Sequence, residues 1–400
     1  QSVGQALYQG LSTAHTCMPL LRRSRPRHAV SDIVGLHGAA YGRQHTPVTQ
    51  VEKTLRAIAL CRTAALGGHV SRCNGCGKET VSYNSCRNRH CPTCQAINRE
   101  KWIMAREAEL LAVPYFHLVF TLPEVFNQLL PKYAKEVYSA LFAASWQTVS
   151  AFASDEKHLG AKPGMVSILH TWGQQLWLHP HVHCIVPGGG ITPSGKWKKA
   201  RGEGKYLFPK RALSLVYRAK FMAALREQMT VPQPIAKKAF ATKWVVYAKR
   251  PFSTPKTVVE YLGRYTHKIA ISNHRLLDVN DHTVSFSYKD YRHSGAKKVA
   301  TLSGVEFLRR FALHILPKGF VRIRHYGFLA SRNKTTLLNI AKAQLGQEKW
   351  EKLEMTWQQV ATEKLNINPN ICPHCKKGVL QIVKTMAPYR GPPLDRMGHA

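Results

Sequence analysis

The chain has 400 residues, 44% of them hydrophobic, with 58 Lys and Arg against 22 Asp and Glu, a formal net charge of +36. That length exceeds one ordinary core and predicts two or three domains, while an excess of positive charge spread along the whole chain points to a polyanionic partner, nucleic acid before an anionic membrane surface. No apolar run approaches the roughly 18–20 residues of a membrane span, and the start carries no charged-then-apolar signal, so a membrane protein is not expected.

Residues 1–50 read as a basic arm, with Arg22, Arg23, Arg25 and Arg27 in "LRRSRPRH" suited either to phosphate contact or to plain solvation. "VEKTLRAIALC" from Val51 to Cys61 has helical periodicity. A cysteine-rich block runs to Cys94, and "NREKWIMAREAELLAVP" predicts a helix stopped by Pro114. "YFHLVFTLP" predicts a short strand, and residues 124–153 a helix. "MVSILHTWGQQLWLHPHVHCIVPGGG" predicts two strands joined by a turn near Gly173–Gln175, its three glycines suited to a close pass of the chain by a DNA backbone. The basic loop "SGKWKKARGEGK" follows, then a helix near 210–228 and a strand at "KWVVYAKRPF". "TPKTVVEYLGRYTHK" predicts a helix with Thr254 as N-cap and Pro255 at the first helical position. "TVSFSYKDY", "VEFLRRFALHIL" and "FVRIRHYGF" predict strand, helix and strand. The last seventy residues predict a helix, a CxxC and a Pro/Gly-rich disordered tail, and no internal repeat is present.

Eight of the ten cysteines fall in metal-like spacings, which predicts a reducing compartment rather than a disulfide scaffold. Cys73-x2-Cys76 and Cys91-x2-Cys94 have the spacing of a four-thiolate zinc ribbon, each CxxC turn offering two thiolates. Cys61, His69, Cys86 and His90 remain in the same block, either as a second zinc site or as buried thiols and phosphate-contacting imidazoles. Cys372 and Cys375 form a knuckle with no visible partner pair, either half of a ribbon or a turn without metal.

On a strand, alternate residues share a face, so His181-Val182-His183 aims two imidazoles the same way with Val182 packed behind. A metal clasped by that pair needs a third ligand. His170, on the preceding strand, is preferred over His179. Tyr261 and Tyr265 are four apart, one above the other on a helix, and are either a core pair or nucleophiles. Arg264, His267 and Lys268 beside them suit a phosphate-facing surface. An unperturbed tyrosine, with a pKa of about 10, is only about one part in a thousand ionised at neutral pH. Nearby cations raise that fraction.

These features together resemble the HUH superfamily, and more closely the two-tyrosine transposases of rolling-circle insertion sequences. "SCRNRHCPTCQ", "YFHLVFTLP", "HTWGQQLWLHPHVHCIVPGGG", "YLGRYTHKIAISNHRL" and "EFLRRFALHILPKGFVRIRHYGFL" carry the likeness. It implies an α+β chain, with a ferredoxin-like antiparallel-sheet core following an N-terminal zinc-ribbon domain. It implies that His181 and His183, with His170, hold Mg²⁺ or Mn²⁺, and that Tyr261 and Tyr265 attack single-stranded DNA at transposon ends and target to form a 5′-phosphotyrosine. Zn²⁺ belongs to the cysteine-rich domain. Lys196, Trp197, Lys198, Lys199 and Arg201, with Arg264 and Lys268, are the expected DNA contacts, Trp197 by stacking on a base. The expected divisions are an arm at 1–50, a zinc-binding domain and helix at 51–112, the catalytic domain at 113–330 and a C-terminal segment at 331–400, in a bacterial cytoplasmic protein associated with the nucleoid. Rival readings are a zinc-ribbon DNA-binding protein without catalysis and a nickase of the replication-initiator type.

Overall fold

The computed structural model describes residues 26–201, 207–248, 257, 258, 263 and 269–389. It is an α+β chain with nine α-helices among those residues and three antiparallel sheets. Two helices open it, α1 (Val30–His45) and α2 (Thr49–Ala59), followed by the hairpin β1 (Gly68–Cys73) and β2 (Glu79–Tyr83) and by α3 (Gln95–Ala108). The stretch read as a basic arm is therefore partly helical. Val30, Ile33, Val34, His37 and Tyr41 are buried at the three- and four-residue spacing of one helix face, which turns α1 toward the core. Arg22, Arg23 and Arg25 lie outside the described residues, and Arg27 is exposed.

The central sheet is built from β3 (Tyr115–Thr121), β4 (Lys162–Trp172), β5 (Leu178–Pro187), β6 (Gly189–Ile191), β7 (Trp197–Lys199), β8 (Val246–Ala248) and, later in the chain, β12 (Ile323–Gly327). Its strand order is β7-β6-β4-β5-β3-β8, with β12 also paired to β4. The β4–β5 turn falls where predicted, closed by Gly173 N–H to the Trp177 carbonyl at 2.8 Å.

Alternation on these strands decides which helices cover which face. Leu118, Phe120, Leu169, Val182 and Cys184 enter one core, capped by α4 (Leu130–Ser154) and α5 (Lys210–Arg226), with α6 (Gln233–Ala241) beside them. The odd residue of β3 and β5 and the even residue of β4 point the other way. There Tyr115, Val166, Ile168 and Ile185 pack with Leu111, Val258 and Leu338. Glu109, 6% exposed, is gripped by Arg106 at 2.6 Å and Lys334 at 2.5 Å, which joins the end of α3 to a later helix.

A second sheet, β9 (Leu276–Val279), β10 (Thr283–Asp290) and β11 (Ala296–Ser303), packs with α7 (Gly304–Ala312) against α1 and α2. Ser303 caps α7 by accepting from the Glu306 N–H. The chain ends on α8 (Lys334–Gln344), α9 (Trp357–Leu365) and β13 (Leu380–Met386). β13 pairs with β1 from Gly68–Met386 to Cys73–Leu380. The last strand of the C-terminal segment thus completes the N-terminal sheet, in the order β13-β1-β2. No helix among the described residues is long and apolar enough to cross a membrane.

The three glycines after β5 serve packing. Gly189 lies under the Trp197 indole and Gly190 against the Lys162 carbonyl, where any side chain would collide. Trp197 itself is half-buried, its ring edge-on to Phe328 at 5.7 Å. Lys196, Lys198 and Lys199 are exposed around it, and Arg201 donates to the Glu156 carbonyl at 3.0 Å.

Candidate active site and metal centres

Antiparallel register places His170 of β4 directly opposite His181 of β5. Alternation then puts His183 on the same face. One ring nitrogen from each of His170, His181 and His183 lies within 4.8 Å of the others, and among the described residues no carboxylate shares the cluster. His179 is not part of it. Its backbone carbonyl accepts from Nδ1 of His181 at 2.6 Å, which keeps that nitrogen protonated and leaves the Nε2 lone pair of His181 bare. Nε2 of His181 faces Nε2 of His183 at 3.2 Å. Two imidazole lone pairs at that distance repel unless a proton or a cation lies between them. Burial pushes His181 down to about 4, so it is neutral at physiological pH, the form that binds metal.

A fourth histidine completes the arrangement. His117, on β3 and 1% exposed, places Nε2 2.8 Å from Nδ1 of His183, the two rings stacked 12° from parallel. With Nδ1–H of His183 donating to His117, Nε2 of His183 carries the lone pair that faces the cluster. Sequence reasoning passed over His117, although a histidine inside the buried run "YFHLVFT" was a usable signal. Replacing His117 with Ala is expected to weaken Mn²⁺ binding by roughly 10–100-fold, measured by Mn²⁺ electron paramagnetic resonance, with His117→Gln recovering part of the loss.

Behind the cluster, Trp172 stacks on His170 at 4.6 Å, and the Arg322 guanidinium lies 5.7 Å from the Trp172 ring. Nearby His314 is a satisfied core residue. It bonds Thr171 at 3.1 Å and the Leu176 carbonyl at 3.0 Å.

Tyr261, Tyr265, Arg264, His267 and Lys268 lie outside the described residues, as do Thr254 and Pro255. Their described neighbours are informative. Val258, 1% exposed, packs with Val166, Ile168 and Ile185 on the histidine-bearing face of the central sheet. Gly263 lies against Ile103 of α3 so closely that a Cβ would overlap it.

The cysteines form two groups, and neither is the predicted one. Cys61, Cys86, Cys91 and Cys94 make the first, and Cys73, Cys76, Cys372 and Cys375 the second. The reason is the β1–β2 hairpin. Cys61 precedes β1 and Cys86 follows β2, so both stand at its open end with Cys91 and Cys94. Cys73 and Cys76 are at its tip, a six-residue strand away, about 17 Å. A CxxC pair at the tip cannot share an ion with one at the base.

Zinc fits both groups. Four thiolates tetrahedral about zinc at roughly 2.3 Å lie about 3.8 Å from one another. Cys86–Cys94 is 3.6 Å and Cys61–Cys94 3.2 Å in the first group. Hydrogen bonding with Cys61, then with Cys86 and Cys91, holds the Cys94 thiol far below its usual range. His69 and His90 join neither group. His69 sits mid-strand, paired with Ser82 and Thr385. His90, 5% exposed, accepts from the Leu316 N–H at 3.4 Å, and burial, aided by Arg89, pushes it down to about 3.

Residues 164–336, which carry the histidine cluster, match the family model described as "Putative transposase". Residues 33–122 match the "Transposase zinc-binding domain". "Putative transposase y4qJ" of Sinorhizobium fredii is 42% identical over 93% of this chain and 98% of its own length. The chain belongs to the HUH-type transposases of rolling-circle insertion sequences. A further relative, the transposase for insertion sequence element IS801 of Pseudomonas savastanoi pv. phaseolicola, is 32% identical to this transposase over 71% of each chain. No solved structure matches it. As a transposase with a zinc-binding domain, it is a DNA-binding protein whose cysteine-rich N-terminal part holds Zn²⁺.

Proposed function

We propose that this transposase nicks single-stranded DNA and transfers the strand through a 5′-phosphotyrosine intermediate. The observation that carries the reading is the convergence of His170, His181 and His183 on one sheet face, with a tautomer at His181 that aims a bare nitrogen inward. Val258, on that same face, precedes Tyr261 and Tyr265 by three and seven residues, the spacing of one helix face.

In this reading Tyr261 or Tyr265 attacks a backbone phosphorus through Oη. The new Oη–P bond forms as the P–O3′ bond breaks, and the released 3′ oxygen takes up a proton as the tyrosine loses one. The 5′ side of the strand stays on the protein. Attack of a second 3′-OH on the phosphotyrosine reverses the exchange, so joining consumes no nucleotide cofactor. Two tyrosines let one hold a cleaved end while the other cuts a second site. A divalent ion on the three histidines, when bound, polarises the phosphate under attack. Nitrogen donors suit Mn²⁺ at least as well as Mg²⁺. Stacking of the half-buried Trp172 on His170, with Arg322 beyond it, orients the third imidazole.

The zinc of the N-terminal domain is assigned to Cys61, Cys86, Cys91 and Cys94. Exposed Lys196, Lys198 and Lys199 supply sequence-independent attraction for the DNA backbone. This chemistry belongs with the cell's DNA in the bacterial cytoplasm, where thiols stay reduced. Incubating the protein with a labelled single-stranded oligonucleotide carrying an element end is expected to give a denaturation-resistant protein–DNA adduct with Mn²⁺ and none with EDTA. Wild-type protein that binds the oligonucleotide yet never forms the adduct would leave a DNA-binding protein without this catalysis.

A further inference from the structure

We propose that Cys73, Cys76, Cys372 and Cys375 hold a second zinc ion, one that locks the C-terminal hairpin into the N-terminal zinc module. The zinc-domain match stops at residue 122, well short of the C-terminal pair. The four sulfurs lie within 4.8 Å of one another, with Cys73–Cys375 at 3.6 Å and Cys76–Cys372 at 3.8 Å. These separations match the roughly 3.8 Å edge of a tetrahedral four-thiolate zinc site.

Both knuckles are wired for thiolates. The N–H groups of Gly75 and Cys76 point at Cys73 Sγ at 3.3 and 3.4 Å, and the N–H of Gly378 at Cys375 Sγ at 3.3 Å. Backbone donors aimed at sulfur stabilise its charged form, which is the ligating one. Gly378 also faces Cys73 Sγ, so that any Cβ there would occupy the sulfur's place. The two knuckles approach this closely because that position is glycine. Asn74 ties them further, accepting from the Val379 N–H at 2.8 Å and donating its own N–H to the Val379 carbonyl at 3.1 Å.

Hydrophobic burial cannot hold this hairpin in place. Ile382 is 64% exposed and Val383 49%, and no residue of β13 is buried. An edge strand held by its ladder alone is marginal in water. A metal cross-link between residues 302 apart supplies what the missing core does not, since clips that close long loops remove the most chain entropy. The N-terminal zinc module is therefore a composite of both ends of the chain, and the catalytic sheet lies inside the loop it closes.

The test is metal content of the full-length protein purified under reducing conditions, by native mass spectrometry and elemental analysis. The Cys372→Ser, Cys375→Ser double variant is expected to hold one zinc fewer than wild type, with the Cys61 group still loaded. Gly378→Ala keeps every sulfur and is expected to release one zinc at a roughly 10-fold lower chelator concentration. Cobalt substitution adds an independent readout. The sulfur-to-cobalt charge-transfer band should fall by about half in the double variant, because one of two four-thiolate cobalt sites is lost. Equal zinc in wild type and double variant, or an unchanged release curve for Gly378→Ala, overturns the proposal. Because none of these readouts involves DNA cleavage, their failure is distinct from failure of the nicking reaction.

Discussion

Replacing Tyr261 and Tyr265 together with Phe is expected to remove the covalent protein–DNA adduct completely, a loss of about four orders of magnitude or more in nicking. Phenylalanine keeps each ring and deletes only the attacking oxygen, so the fold should survive. Oligonucleotide affinity and zinc content serve as controls and should stay within about 2-fold of wild type. The two single variants separate the roles. The one lacking the first nucleophile should fail to nick a single end, and the other should nick but not complete strand transfer between two oligonucleotides. A double variant that still forms the adduct would require a nucleophile elsewhere and would end the phosphotyrosine reading.

Replacing His183 with Ala is expected to lower nicking by about 10³-fold, equivalent to about 4 kcal/mol of transition-state stabilisation. His183 is central to the cluster. Its ring stands 4.6 Å from that of His170 and 4.9 Å from that of His181, and it bonds His117 on the far side. Its removal takes away one proposed ligand and the imidazole that His117 contacts at 2.8 Å, so Mn²⁺ affinity should fall with activity. The comparison is His179→Ala. The His179 ring lies 5.1 Å from that of His181 but offers the cluster no nitrogen, and alanine retains the backbone carbonyl that orients His181, so that variant should nick within about 3-fold of wild type. Equal losses from the two substitutions would mean that the rings do not act as a graded ligand set. Mn²⁺ titration followed by electron paramagnetic resonance, run beside the nicking assay, distinguishes a lost ligand from a general loss of fold.

Much of the site was legible because its signals are local. The period of a strand is two residues, so His181-x-His183 had to present both rings to one side. A hairpin turn of ordinary length then brought His170 opposite His181. The same alternation puts His117, on the strand next to β5, on that face, but which strand neighbours β5 is a matter of tertiary pairing. Helix α1 was hidden for a different reason. Its charged and small residues dilute a sparse apolar face, and only packing against α7 and the β9–β11 sheet gives that face its purpose.

The sequence by itself named the groups on which the proposed chemistry rests. Residue types and short spacings named thiolate knuckles, a His-x-His clasp, a tyrosine pair and a cationic surface, because each depends on geometry within one turn or one strand. Tertiary structure alone decided which knuckle faces which. A CxxC turn fixes two ligands and says nothing about the other two, and the strand between Cys61 and Cys73 carries the two halves of the block to opposite ends of a hairpin. The partner of Cys73 and Cys76 then comes from the far end of the chain, through a ladder between β1 and β13 whose pairing no local pattern encodes.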